Sequence, residues 1–185
     1  MRWLLYAPLQ CLCALLCYLT NWAVVLFADE QGELPGLLRL WQTWDDTLDN
    51  ETDIGRMPKW LQYDWKEHYI QGQVMERGQT RYTEELIKPF TWREKLKRYC
   101  CRCHWLYRNN AYGFAYYVFG REIYPAYSIK ADTDRYMIFD SVGNWAYKDQ
   151  TPMRFGHWKI YLGWKIQRTL GRHRAMIATR IWFSK

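Results

Sequence analysis

WLLYAPLQCLCALLCYLTNWAVVLFA, residues 3–28, decides the architecture, because these 26 residues carry no formal charge. As a helix at about 1.5 Å per residue the stretch is about 39 Å long. That exceeds the roughly 30 Å hydrocarbon core of a bilayer, so the segment spans it with some tilt. Gln10, Thr20 and Asn21 are its only clearly polar side chains. Pro8 falls near the start, where a missing N–H costs least. Trp3, Tyr6, Trp22 and Phe27 bring rings near both ends, as interfacial anchoring does. A cleaved signal peptide is the main competing reading, and Arg2 before the apolar run suits it. Leu26 then stands where a cleavage site wants a small residue, and the run exceeds the usual apolar core of about 7–15 residues. A buried core helix or a re-entrant hairpin would also fit. Arg2 on one side and Arg39 on the other leave the orientation open.

Outward from the span, charge divides the chain. Residues 29–53 hold eight acids and one Arg, a net of −7; residues 54–185 hold 24 bases and 11 acids, a net of +13. Aromatic residues make up 18% of the 185, which excludes global disorder. Six Cys are too sparse for a disulfide scaffold, and a single long uncharged stretch excludes a multi-pass transporter. The predicted organisation is a transmembrane helix over 1–28, an interfacial helix and acidic loop over 29–58, a helical segment over 59–110 and an antiparallel sheet over 111–185.

LPGLLRLWQTW (34–44) reads as a short amphipathic helix at the membrane surface, and KWLQYDWKEHYIQG (59–72) as another short helix. Residues 91–107 form the clearest helix outside the membrane. Thr91 and Glu94 make a capping box. Leu96, Tyr99, Cys100, Cys103, Leu106 and Tyr107 recur every three or four residues. Lys95, Lys97, Arg98 and Arg102 fall mostly on the other faces, either solvated or facing anionic lipid headgroups.

From Tyr112 the period becomes two. In RFGHWKIYLGWKI (154–166), Trp158, Ile160, Leu162, Trp164 and Ile166 alternate with polar or small residues, as in a half-buried antiparallel strand. Residues 174–183 alternate likewise, and 113–119, 123–130, 136–140 and 144–148 are further candidate strands. The fold class is α+β: a transmembrane helix, short helices, then an antiparallel meander forming a curved sheet or small open barrel.

Several groups are candidates for chemistry. The acidic loop holds Asp45, Asp46, Asp49 and Asp53. Its spacing does not match an EF-hand, so a solvated loop, or one that pairs with a base of the body such as Arg108, is favoured over Ca²⁺. Cys100, Cys101, Cys103 and His104 are dense enough to suggest zinc but lack a second pair, so buried inert thiols are favoured. Glu94 and Cys103 meet the first spacing of a phage-lysozyme signature, but Asn109 stands where Thr is required. Cys103 with His157 or His173 lacks a cysteine-peptidase signature. Arg108, Asn109, Tyr112 and Gly113 mark the corner where helix gives way to sheet. Asn109 there tolerates left-handed backbone and Gly113 permits close approach. A basic, aromatic body also raises single-strand nucleic-acid binding, which the membrane tether disfavours.

LWQTWDDTLDNETD (40–53) and WLYRNNAYGF (105–114), with the N-terminal span and the IYLGWKI strand, resemble a family of uncharacterised small membrane proteins of tailed bacteriophages and prophages. Against that family's motifs, Trp41 stands where Phe is usual, Asp46 where Asn is usual, Asn50 in place of Gly, and Asn110 where Pro is usual. The resemblance implies attachment to the host inner membrane and no reaction or cofactor. The expectation is a phage-encoded, membrane-anchored accessory protein that binds a protein partner or an anionic lipid surface. A membrane-tethered enzyme with a site at the helix-to-sheet corner is the alternative.

Overall fold

The computed structural model describes residues 2–49, 58–61, 68–76, 79–131, 135–153, 155–166 and 172–184. Asp53, residues 62–67 of the 59–72 stretch and part of the acidic loop fall outside them. The N-terminal helix α1 (Arg2–Val24) runs into a turn of 3-10 helix, Val25–Phe27, giving one apolar helix long enough to cross a membrane.

α1 is two-faced in an unusual sense. Its large apolar side chains point outward, with Leu4, Leu5, Leu9, Leu12, Leu16 and Leu19 all exposed. Its inward face carries small or polar residues at heptad-like spacing: Ala7, Gln10, Cys17, Asn21 and Val24 are buried. A soluble helix does the reverse, so the outward face calls for lipid. The inward face is fastened along its length. Trp3 Nε1 donates to the Ala178 carbonyl at 3.1 Å, Gln10 Nε2 to that of Ala111 at 3.3 Å, and Trp41 Nε1 to Thr20 Oγ1 at 2.8 Å. The Tyr99 hydroxyl donates to the Trp22 carbonyl at 2.6 Å.

After α1 the chain folds back as a strap. The 34–44 segment forms a 3-10 turn over Gly36–Leu40 rather than the expected amphipathic helix, because Pro35 and Gly36 (φ +51°) break any longer run. Leu34 and Leu48 from the strap bury with Val24, Val25, Trp105 and Leu106 in one apolar cluster. Each fully buried leucine contributes about 1.5–3 kcal/mol.

The predicted helical segment 59–110 needs correcting. It contains an antiparallel hairpin, β1 (Tyr69–Glu76) with β2 (Gln79–Leu86), so Tyr69 to Gly72 are strand. Tyr69, Ile70, Val74, Thr80, Tyr82 and Thr83 are β-branched or aromatic, and Gly78 lies between the two runs in the sequence; this is a hairpin pattern. Helix α2 (Trp92–Arg108) follows with the expected capping box: Glu94 N–H donates to Thr91 Oγ1, and Thr91 N–H to Glu94 Oε2 at 2.8 Å.

The alternation from residue 113 is not a strand. Residues 112–113 continue as helix and Phe114–Val118 wind as π-helix, with Phe119 N–H reaching the Phe114 carbonyl at 3.1 Å. Gly113 holds the close approach foreseen for it: a Cβ there would lie 2.5 Å from the Arg39 carbonyl oxygen. Strands β3 (Arg121–Ile123), β4 (Ala126–Ala131), β5 (Arg135–Asp140), β6 (Trp145–Asp149), β7 (Pro152–Met153), β8 (Gly156–Trp164), β9 (His173–Ala175) and β10 (Ile177–Ser184) complete the chain. Tyr124-Pro125 divides the expected 123–130 strand, since proline cannot donate to a ladder. The main sheet is antiparallel and open, in the order β10-β8-β6-β5-β4, with β7 also on β8; β3 pairs with β9 apart from it. Trp164, Ile166, Ile177, Ala146 and Ile138 form its core with Phe119 and Ala115, and Trp3 and Tyr6 of α1 pack against that core.

Candidate functional site

Three features of the body carry chemistry: an apolar face, a charged clamp and a cavity at the corner. The apolar face extends beyond α1. The rings of Tyr18 and Tyr107 stack at 5.9 Å, and the Tyr99 bond to Trp22 ties the two helices together. Leu96, Tyr107 and Trp92 (70% exposed) therefore continue the leucine face of α1 along α2. Lys95 is exposed beside them and Lys97 is half-buried.

Sequence spacing placed Arg98 and Arg102 on the outer side of α2, and the structure corrects this. The helix turns the other way: Arg98, Cys101, Arg102, Trp105 and Leu106 are buried, while much of the predicted inner stripe faces out. What makes the inward arginines tolerable is Asp49. Arg98 Nη2 lies 2.5 Å and Arg102 Nη2 2.6 Å from Asp49 Oδ2. Arg102 Nε donates to Oδ1 at 2.8 Å. Arg102 Nη2 also donates to the Asp29 carbonyl at 3.0 Å, and Arg98 Nη2 to that of Glu30. Burial by itself would raise the Asp49 carboxyl; the two guanidiniums outweigh it and hold the group below the ordinary carboxylate range. The acidic loop thus pairs with the body as foreseen, through α2 rather than Arg108. Asp46 meets the strap through its backbone, its carbonyl accepting from Gln42 Nε2 at 2.9 Å and Thr43 Oγ1 at 3.0 Å.

The helix-to-sheet corner grips α1. Asn109 caps α2 at φ −105°, and the left-handed residue is Ala111 (φ 56°) rather than Asn109. That turn aims the Ala111 carbonyl at Gln10. Asn110, which stands where proline is usual in the resembled motif, donates through Nδ2 to the Ala14 carbonyl at 2.8 Å and accepts from Asn21 Nδ2 at 3.3 Å.

Beside this grip lies a cavity of about 410 Å³. Gln10, Arg108, Asn109, Tyr112, Lys165 and Arg180 contribute its polar lining, and Met176, Ile177, Ala178 and Trp182 an apolar wall. The Arg180 guanidinium carbon is 4.3 Å and Lys165 Nζ 4.7 Å from the centre of the Tyr112 ring. Asn109 Nδ2 and Gln10 Oε1 are buried without a hydrogen-bond partner. A second cavity of about 290 Å³ holds Asp45 and His173 and shares Tyr112 and Lys165 with the first. Asp45 and Arg108 thus line different cavities, and Asp49 is committed to its clamp. Gln10, Lys165 and Arg180 escaped sequence reasoning because they lie in three distant segments that only the docking of α1 and β10 brings together.

The cysteines carry free thiols. Cys101, expected to face away from the core, is buried and donates to the Leu61 carbonyl at 3.1 Å; burial pushes its thiol up to about 11. Cys103 is also raised by burial. Such thiols are poor nucleophiles at neutral pH. Among the described residues no three His, Cys, Asp or Glu gather where they could hold a metal ion. The sequence pattern of the Family of unknown function (DUF7338) matches residues 1–185. No curated protein and no solved structure matches the chain.

Proposed function

We propose that the chain, which belongs to the Family of unknown function (DUF7338), is a bacteriophage- or prophage-encoded accessory protein that works at the host inner membrane without catalysing a reaction. It is a small protein anchored by a single apolar helix, with a folded body of short helices and open sheet. One observation carries the reading: the leucines of α1 and Trp92, Leu96 and Tyr107 of α2 are large exposed apolar side chains on two helices joined by the Tyr18–Tyr107 stack and the Tyr99–Trp22 bond, an exposure that water disfavours. In lipid these side chains are buried, and Lys95 lies at the edge of the surface, within reach of anionic headgroups. Such a body presents its remaining surface to a protein partner at a fixed distance from the bilayer.

The reading is tested on the full chain in infected or expressing cells. The expected result is recovery in the inner-membrane fraction, resistant to carbonate and high salt and released by detergent. Recovery of the intact chain as a soluble monomer in detergent-free extract would overturn it.

A further inference from the structure

We infer that the corner cavity binds the phosphate of an anionic phospholipid headgroup, with Lys165 and Arg180 as its principal charges. The inference rests on the membrane reading above and deepens it, because it names a ligand and a place for it.

The corner cavity collects positive charge. Elsewhere the buried cations are matched. Arg98 and Arg102 share Asp49, and the cavity that they line, of about 430 Å³, also holds Asp29 and Glu30. The 290 Å³ cavity, which Lys165 also lines, holds Asp45. Around the corner cavity, Lys165 and Arg180 meet no carboxylate among the described lining residues. Lys165 and Arg180 instead converge on one neutral ring, Tyr112. Two like charges drawn to one phenol repel each other, and an anion between or beside them relieves that repulsion.

Polar groups without partners make the same case independently. Gln10 is only 5% exposed, yet its Oε1 accepts no hydrogen bond, and buried Asn109 Nδ2 donates none. An unmet buried donor or acceptor costs about 1–3 kcal/mol. A phosphodiester with a hydroxylated headgroup meets both needs: its phosphate oxygens accept from Asn109, and a headgroup hydroxyl donates to Gln10 Oε1.

The walls then choose between a lipid and a free anion. Met176, Ile177, Ala178 and Trp182 line one side with apolar surface, which inorganic phosphate cannot use and a glycerol backbone with its acyl ends can. The volume lies within the roughly 300–1,000 Å³ range of small-molecule sites. Gln10 lies on the inward face of the anchor helix, so the cavity adjoins the anchor.

The test uses the full chain in two arms. In the first, wild type, Lys165→Gln, Arg180→Gln and the double variant are reconstituted or floated with phosphatidylcholine vesicles containing or lacking phosphatidylglycerol. The preference for phosphatidylglycerol is expected to fall about fivefold for each cation removed, while binding to pure phosphatidylcholine and the circular dichroism spectrum stay as in wild type. Lys59→Gln, an exposed cation that lines none of the three cavities described, serves as a control and is expected to keep the preference. In the second arm, detergent-purified protein is melted with short-chain phosphatidylglycerol, with inorganic phosphate, and with chloride at matched ionic strength. Stabilisation by the lipid alone, lost in the double variant, supports the inference. Equal stabilisation by inorganic phosphate would replace the lipid by a free anion. A double variant that keeps the wild-type lipid preference and melting shift would overturn the site altogether. Failure of wild type to bind any vesicle would break the membrane reading instead, and the melting arm separates the two.

Discussion

Two pairs of cations in this molecule, Arg98 with Arg102 and Lys165 with Arg180, meet different partners in the fold. Arg98 and Arg102 are buried against α2's neighbours and clasp Asp49 through charge-assisted bonds of 2.5–2.8 Å. Lys165 and Arg180 lie at the rim of the corner cavity with only the Tyr112 ring between them. The first pair is neutralised and therefore structural: it fastens the acidic strap to α2 and leaves little charge to offer a ligand. The second has charge to spare. What separates a scaffold cation from a binding cation here is its partner, and the partner is supplied by tertiary structure.

Removing the partner should produce the largest effect. Asp49→Asn leaves two guanidiniums buried without a counter-charge, and a loss of about 3–5 kcal/mol is expected in denaturant unfolding of the detergent-solubilised chain. Adding Arg98→Met and Arg102→Leu to Asp49→Asn should restore much of that loss, since the desolvation cost disappears with the charges. A fall confined to Asp49→Asn would establish the clamp as a buried ion pair. An unchanged stability would show that the strap is held by Leu34 and Leu48 alone.

Acid probes the same contrast. The Asp49 carboxyl is lower in the folded than in the unfolded chain, so its contribution is present above the unfolded value of about 3.9 and is lost as pH falls through the folded value. Asp149 behaves likewise. The Thr151 hydroxyl and N–H are the chief causes, helped by the Tyr147 hydroxyl and the Arg135 guanidinium, and they hold it at about 2. Melting temperature should therefore drop between pH 4 and pH 2, and Asp49→Asn should remove part of that drop. The corner cavity presents no carboxylate among its described lining residues, so acid removes no counter-charge from it.

The two faces of α1 invite a parallel experiment. Leu12 is 62% exposed in the fold and Cys17 is 0% exposed. Leu12→Ser should weaken membrane partition by up to about 1.5–3 kcal/mol, the value of one fully buried leucine, with little effect on the packing of the body. Gln10→Ala and Asn21→Ala should spare partition but loosen the docked face, which shows as faster proteolysis at the corner. If both classes of substitution acted alike, α1 would not be fastened to the body along one face.

The sequence declared the elements whose signals are local. Residues 3–28 announce themselves by the absence of charge, Thr91 and Glu94 mark the start of α2, and the alternation from Trp158 to Trp164 marks β8. It concealed whatever depended on which side an element faces. The three-and-four spacing of Leu96, Tyr99, Cys103 and Tyr107 reads as one core stripe, yet Leu96 and Tyr107 are exposed while Tyr99 and Cys103 are half-buried against the Val24–Leu106 cluster. The 113–119 stretch reads as a strand, yet Phe114–Val118 wind as π-helix. The acidic loop was legible as a partner for bases, but its partners lay about fifty residues away on a face assigned to solvent. The corner was legible as Arg108, Asn109, Tyr112 and Gly113. Gln10, Lys165 and Arg180 were not, because a site assembled from three segments leaves no spacing to find.

Lys95 supplies a third kind of cation, neither clasped nor walled in, and it should give the smallest effect. It is exposed on α2 near the apolar edge. Near an anionic surface one such base contributes about 1 kcal/mol, and an exposed charge loses most of that at physiological salt, where the screening length is about 8 Å. Lys95→Gln should therefore lower binding to phosphatidylglycerol vesicles only at low ionic strength, by about fivefold or less. Arg180→Gln should lower it at both low and physiological salt, because Arg180 is half-buried at the cavity and a partly buried charge is screened less than an exposed one. Equal salt dependence of the two variants would mean that the corner cations act as surface charge like Lys95, and the distinction between a bound headgroup and a diffuse attraction would disappear with it.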